Sequence, residues 1–191
     1  MTLLMVGVVL FILLHLFPVV MPDARNNLKA RLGEKPYMAV FALSILASVA
    51  LIIFGWRGAE VDYYYLPPAG LRHPAMLLVV IAFVFIVSSH FRRTRIRKFI
   101  RHPQLTAIAI WAFAHLLANG DSRSVVLFGG FLIWSVLSII LINRRDGDWE
   151  KPTEFMPAWR EIFIPLAAVI VSGIIVKFHY YIAGVPLMPT S

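Results

Sequence analysis

Long apolar runs alternate with short polar segments along the whole chain. The six runs hold between 16 and 19 residues each, close to the roughly 20 residues that carry a helix across about 30 Å of hydrocarbon. A helix is expected because a spanning segment must satisfy its own backbone polar groups, and these runs lack the alternation of barrel strands. The pattern therefore predicts an all-α, polytopic bundle of six transmembrane helices. The runs cover residues 2–20, 36–54, 74–90, 103–118, 125–142 and 162–178.

Prolines and one short turn mark the predicted helix ends. A proline at the first helical position loses no hydrogen bond, and three runs open in this way, at Pro36, Pro74 and Pro103. Between the fourth and fifth runs, Gly120 suits the position after a helix and Asp121 or Ser122 suits an N-cap. The sequence thus predicts a tight helical hairpin there.

Composition supports a membrane protein, and the positive charges suggest its orientation. The chain is 60% hydrophobic and 15% charged, against about 45–50% and about 25% in soluble proteins. We therefore expect one transmembrane domain over residues 1–191, with the lipid bilayer as its surroundings. Fourteen of the 18 Lys and Arg residues lie in the first, third and fifth loops. The positive-inside rule places those loops in the cytoplasm and both termini outside. The net charge of +8 is thus explained by topology, and no nucleic-acid partner is expected.

Several function classes lack their residues in this chain. There is no cysteine, which excludes thiolate metal sites, cysteine-ligated iron–sulfur clusters and cysteine nucleophiles. The apolar runs hold no acidic residue, so a proton relay through buried carboxylates is not expected. No positive residue precedes the first run, and we interpret that run as a retained helix and not as a signal peptide.

Two histidines fall inside apolar runs and are the candidate metal ligands. An imidazole within a spanning helix needs a partner inside the bundle, so His15 and His115 indicate a functional site. Neutral imidazoles can bind haem iron axially between apolar helix faces. Phe11 and Trp111 each lie one turn before a histidine, on the same helix face, and could pack on a macrocycle. A buried structural hydrogen bond is the alternative for both histidines.

Spacing limits which histidines could share one iron. His102 and His115 are 13 residues apart, about 20 Å along one helix, so they cannot ligate the same metal. With these boundaries His15 and His115 differ in depth by roughly 10 Å.

Other histidines match their depths better. His90 or His102 suits His15, and His73 or His179 suits His115. Arg101 is a candidate partner for haem propionates.

The chain resembles the NnrU family along nearly its whole length. The resemblance rests on residues 101–105 and 111–121, supported by residues 14–16, 30–35 and 184–187. It implies a bacterial inner-membrane protein linked to denitrification and nitric oxide metabolism. The family is similar to 15-cis-zeta-carotene isomerase, a haem b membrane enzyme, which implies haem b, ligand positions at His15 and His115, and an isomerase or redox activity. Ala112 stands where that enzyme carries a cysteine, so a thiol-dependent ligand switch is not implied.

Two other functions stay open. Arg101, His102 and Pro103 form a triplet similar to one in isoprenylcysteine-type membrane methyltransferases, which implies S-adenosylmethionine, although the residues that follow depart from that pattern. The few polar residues within the bundle also suit a non-enzymatic membrane subunit or assembly factor.

Overall fold

The computed structural model describes residues 1–185 and 187, and these residues form eight α-helices without an extended strand. An isolated bridge joins Tyr63 to Asp121, and short 3₁₀ turns cover Ala69–Leu71 and Arg95–Lys98. The all-α prediction is confirmed. The helices are α1 (Thr2–Val20), α2 (Pro22–Leu32), α3 (Glu34–Gly58), α4 (Arg72–Ser89), α5 (Pro103–Ala118), α6 (Ser122–Asp146), α7 (Ala158–Glu161) and α8 (Phe163–Ala183).

Each predicted apolar run coincides with a helix, which makes the chain a polytopic membrane protein. Five helical segments within the described residues are long and apolar enough to cross a bilayer. The remaining run, the fourth along the chain, is α5, with 16 residues and about 24 Å of length. Large apolar side chains lie exposed on the outer faces, such as Leu43 and Phe54, both 65% exposed, and these faces fit lipid. The count of six spans and the orientation with both termini outside stay predictions.

Helix α6 lies between the two helices that carry the intramembrane histidines. The main neighbours run in the order α3, α1, α6, α5, α4 and α8. The Trp56 indole N–H at the end of α3 donates to the Ala183 carbonyl at the end of α8 (2.9 Å). As a result α1 and α5 both pack on α6, and a site that uses both histidines must be built around α6.

Glycines let α1 approach α3 closely. A Cβ added at Gly7 would lie 2.7 Å from the Ile52 amide nitrogen, and one at Gly55 would lie 2.6 Å from Leu4 Cα. Small residues at such crossings are typical of membrane bundles, where close backbone packing replaces the hydrophobic effect. The α1–α3 contact therefore fixes the position of α1, and with it His15.

The polar segments contain structure that the apolar runs did not predict. Helix α2 is mostly polar and has no buried residue, so it does not stand out as an apolar run in the sequence. It has Asp23 in its first turn and Lys29 and Arg31 in its last, which suits the helix dipole.

Two of the proline predictions need a small correction. Only Pro103 occupies the first position of its helix. Helices α3 and α4 begin two residues before Pro36 and Pro74. Both prolines still lie in a first turn, where backbone N–H groups have no intrahelical acceptor.

The hairpin between α5 and α6 is confirmed, with a different role for its glycine. Asp121 caps α6 by accepting from the Ser124 amide (3.1 Å). Gly120 follows the C-cap Asn119 but is not among the glycines with positive φ. A Cβ there would meet the Tyr65 carbonyl oxygen. Gly120 is therefore required by close contact with the 59–68 loop.

Candidate functional site

Three aromatic residues on one face of α6 form the centre of the candidate site. Phe128, Phe131 and Trp134 are spaced three residues apart on this helix, so their side chains share a face; we call them the aromatic ladder. Phe128 and Trp134 are buried. The ladder contacts both α1 and α5 through further rings.

His15 packs at one end of the aromatic ladder. Its ring stacks on Phe11 at a centroid distance of 4.0 Å and meets the edge of Trp134 at 5.1 Å. Its Nδ1 is 2.9 Å from the Phe11 carbonyl oxygen. Because a carbonyl can only accept, Nδ1 carries the hydrogen in this bond. The neutral ring then has its lone pair on Nε2, the nitrogen that a metal would take.

His115 repeats this arrangement at the other end of the aromatic ladder. Its ring stacks on Phe128 at 4.3 Å and lies 4.8 Å from Trp111. Its Nδ1 donates to the Trp111 carbonyl (2.8 Å). Both intramembrane histidines are therefore anchored through Nδ1 to the carbonyl one turn earlier. This hydrogen bond fixes the tautomer and leaves the lone pair on Nε2, the nitrogen through which a metal could bind.

Phe131 connects the two ends. Its centroid is 5.0 Å from that of Phe11 and 6.1 Å from that of Trp111. The two histidines contact ladder positions six residues apart, about 9 Å along α6. This offset is similar to the depth difference expected from the sequence.

Trp134 contributes a polar group that sequence reasoning missed. Its side chain is 7% exposed, and its indole nitrogen has no hydrogen-bond partner among the described residues. An unpaired buried N–H costs about 1–3 kcal/mol. The donor lies beside His15, so it is available to a bound group.

Arg101 and His102 do not belong to this cluster. They precede α5, at the opposite end of that helix from His115. His102 Nε2 is 2.9 Å from the Asn143 side-chain oxygen, and Arg101 donates to the Gly147 carbonyl (2.8 Å). Both residues line a separate cavity of about 380 Å³. The structure thus brings His15, His115 and Trp111 to the ladder and places Arg101 and His102 elsewhere.

The remaining histidines lie at helix ends. His73 is the second residue of α4, and His90 is its C-cap. His179 in α8 donates from Nδ1 to the Val185 carbonyl (2.9 Å) and is an electrostatic neighbour of His115. No cluster of three or more potential metal ligands occurs in the described part of the chain.

A tyrosine from the 59–68 loop holds the end of α5 near His115. The Tyr65 hydroxyl lies between the carbonyl oxygens of Leu116 and Asn119, 3.0 Å from the latter. Burial and the nearby Asp121 carboxylate raise the pKa of Tyr65. The neutral phenol is therefore favoured, and it can donate to these carbonyls.

Comparison with known proteins agrees with this architecture. The chain is 25% identical over 195 aligned positions to a protein from Zea mays named 15-cis-zeta-carotene isomerase, chloroplastic; the alignment covers 85% of this chain and 50% of that protein. The chain thus spans about half the length of this relative. No solved structure matches significantly. The model of the family described as NnrU protein matches residues 3–187, and the chain is therefore a member of the NnrU family.

Proposed function

We propose that this protein binds haem b within the membrane, with His115 as an axial ligand and His15 as the second ligand position. The observation that carries the proposal is the shared anchoring of both imidazoles. Each donates Nδ1–H to the carbonyl one turn earlier and keeps its Nε2 lone pair. The similarity to 15-cis-zeta-carotene isomerase, a resemblance that implies haem b, supports the choice of cofactor.

The residues around the aromatic ladder suit a haem. A neutral imidazole can bind iron through Nε2, and the Nδ1–H hydrogen bonds of both histidines leave that nitrogen with its lone pair. Phe11, Trp111 and Phe128 offer flat apolar surfaces next to the ligands. The unpaired Trp134 N–H offers one hydrogen bond beside His15. Haem bound here would supply one-electron chemistry and affinity for diatomic ligands such as nitric oxide.

This chemistry fits a protein of nitrogen-oxide or redox metabolism, and we propose denitrification or nitric oxide metabolism in a bacterial inner membrane as its setting. An isomerase acting on a membrane-dissolved polyene is the second candidate, and the match to the Zea mays protein favours it. Ala112 is fully buried in α5 and carries no thiol. An isomerase of this kind would therefore work without a cysteine ligand.

Visible spectroscopy of the purified protein tests the haem proposal. We expect a Soret band and a haem b pyridine haemochrome after expression with ample haem. His115→Ala should abolish or strongly shift the band, whereas His73→Ala, at the exposed end of α4, should leave it unchanged. A wild-type protein without a Soret band would contradict the proposal.

The same spectra identify the second ligand. If His15 and His115 bind one iron, His15→Ala should convert a six-coordinate, low-spin spectrum to a five-coordinate one. If only His179→Ala does so, His179 is the partner of His115 and the His15 assignment is wrong. Titration with nitric oxide, compared with incubation of the haem-loaded protein with 15-cis-zeta-carotene, then separates the two functional settings.

The two remaining candidate functions, a membrane methyltransferase and a non-enzymatic subunit or assembly factor, need tests of their own. The cavity beside Arg101 and His102, about 380 Å³, has the size of a small-molecule site, so calorimetry with S-adenosylmethionine tests the methyltransferase function. A non-enzymatic subunit or assembly factor should co-purify with a partner from native membranes.

A further inference from the structure

Two neighbouring cavities share a wall where α5 begins. Arg101 and His102 line both of them. The larger cavity, about 380 Å³, continues between Phe99, Ile139 and Trp149. The smaller one, about 210 Å³, is bordered by polar residues including Arg97 and Gln104. The pair of cavities therefore has an apolar side, a polar side and a cationic wall between them.

These cavities lie at the boundary of the membrane. Ile139 belongs to the apolar part of α6, and Asn143, one turn later, begins its polar end at Asn143–Asp146. Trp149 follows in the next loop, and tryptophan is enriched at the level of lipid headgroups. A ligand here would meet hydrocarbon on one side and the aqueous interface on the other.

The positive charge of the shared wall is not neutralised by bonded carboxylates. Three nearby arginines form ion pairs, Arg93 with Glu154, Arg95 with Glu161 and Arg145 with Asp146.

Arg97 and Arg101 differ from these three. Within the described residues Arg97 donates to the Ser89 carbonyl (2.9 Å) and the Phe91 carbonyl (3.2 Å). Arg101 donates to the Gly147 carbonyl (2.8 Å). The Asp146 carboxylate interacts electrostatically with Arg101 and His102. It is already paired with Arg145, whose Nε lies 2.7 Å from Asp146 Oδ1. The guanidinium groups therefore keep N–H donors and charge for an anion.

We propose that this pair of cavities binds an anionic phospholipid. The phosphate would lie beside Arg101 and Arg97, and the acyl chains would follow Phe99 and Ile139 towards the bilayer. Arginine suits phosphate because its planar fork donates parallel hydrogen bonds, and basic pockets at the ends of membrane helices bind anionic headgroups. This proposal does not depend on the haem site, which lies along α6 and at the other end of α5.

Native mass spectrometry of protein extracted from equimolar phosphatidylglycerol and phosphatidylcholine tests the proposal. We expect selective retention of phosphatidylglycerol. Arg101→Gln should weaken retention about tenfold, the size of one lost charge-assisted hydrogen bond. Arg92→Gln, an exposed residue of the same loop that lines neither cavity, should retain the lipid as the wild type does. Ile139→Asn removes apolar surface without changing charge and should also reduce retention.

Several results would overturn the proposal. One is equal retention of both lipids by the wild type, and another is an equal loss in Arg92→Gln and Arg101→Gln. Displacement of the lipid by millimolar inorganic phosphate would show a simple anion site without a place for the acyl chains. Displacement by S-adenosylmethionine would assign the cavity to a methyltransferase cofactor. If Arg101→Gln fails to fold, the wild-type selectivity and Ile139→Asn decide the matter.

Discussion

His115 lies in the last turn of α5 and His102 is the N-cap of the same helix, yet their surroundings give them different chemistry. His115 is enclosed by Trp111 and Phe128, and among the described residues its ring forms a hydrogen bond through Nδ1 alone. His102 lies at a cavity with Arg101 and bonds Asn143 through Nε2. The aromatic region therefore offers a metal an unshared Nε2 lone pair, whereas the cavity region offers charge and hydrogen bonds. Both sites contain a histidine, so residue type alone does not distinguish them. They differ in the ring nitrogen that forms the hydrogen bond, which is Nδ1 in His115 and Nε2 in His102.

The largest effect is expected when each of the two histidines is replaced in a separate variant, which tests whether the two regions are independent sites. His115→Leu should remove nearly all bound haem while phosphatidylglycerol retention stays at the wild-type level. His102→Leu should leave the Soret band unchanged, because its ring is about 20 Å from His115 along α5. Haemochrome yield and native mass spectrometry on the same samples measure both properties. If His102→Leu lost haem as His115→Leu does, the two regions would not be separate sites.

A second test disturbs the aromatic region through backbone packing. Gly55→Ala would place a Cβ 2.6 Å from Leu4 Cα, so α1 must move, at a cost of about 1–3 kcal/mol for overpacking. Thermal unfolding in detergent should show a lower Tm and, because α1 carries His15, an altered haem spectrum. Lipid retention at the α5–α6 cavity should persist.

Gly58→Ala is the matched control. It lies on the same helix with no atom within 4 Å of its added Cβ, and alanine favours helix over glycine by about 1 kcal/mol. A Tm that falls equally in both variants would show that the close approach of α1 and α3 does not matter.

A third and smaller effect concerns the cavity region. Asn143→Leu keeps the number and branching of the side-chain heavy atoms but removes the acceptor for His102 Nε2–H. A partly buried donor left without a partner costs about 1–2 kcal/mol, which a lower Tm would report. Asn27→Leu on the exposed surface of α2 should change Tm little. Haem content should be unchanged in both variants, and a loss of haem in Asn143→Leu would connect the regions that the structure separates.

The sequence predicted the helices well because hydrophobicity over long runs decides membrane insertion. It missed α2, which is too polar to form an apolar run. It also placed the starts of α3 and α4 two residues late, because Pro36 and Pro74 were taken as first positions. The role of Gly120 could not be read from its neighbours. That role depends on Tyr65, 55 positions earlier in the chain.

The site was predicted in part for similar reasons. His15 and His115 stood out because an imidazole is rare within an apolar run, and Phe11 and Trp111 followed from helical spacing. The aromatic ladder on α6 was not found, because aromatic residues in an apolar helix give no signal of which helix they face. Arg101 and His102 were grouped with a haem because of their residue chemistry. The structure places them at the opposite end of α5 from His115, and their role stays a prediction.

The smallest predicted effect lies at the C-terminal end of α5, where Tyr65 meets the Leu116 and Asn119 carbonyls. Tyr65→Phe removes the donor and should lower the free energy of unfolding by about 1 kcal/mol or less, because the residue is 41% exposed.

The pH dependence of stability is the sharper test of Tyr65. The pKa of Tyr65 is raised by burial and by Asp121, so the folded state holds the phenol proton more tightly than the unfolded state does. That stabilisation is complete below the ordinary tyrosine value near 10 and is lost as the pH rises towards the higher folded value. Between about pH 9 and about pH 11 the Tm of the wild type should therefore fall more steeply than that of Tyr65→Phe. The other tyrosines titrate in both proteins, so only the difference between the two slopes reports on Tyr65. Equal slopes would mean that the hydroxyl does not hold the end of the helix that carries His115.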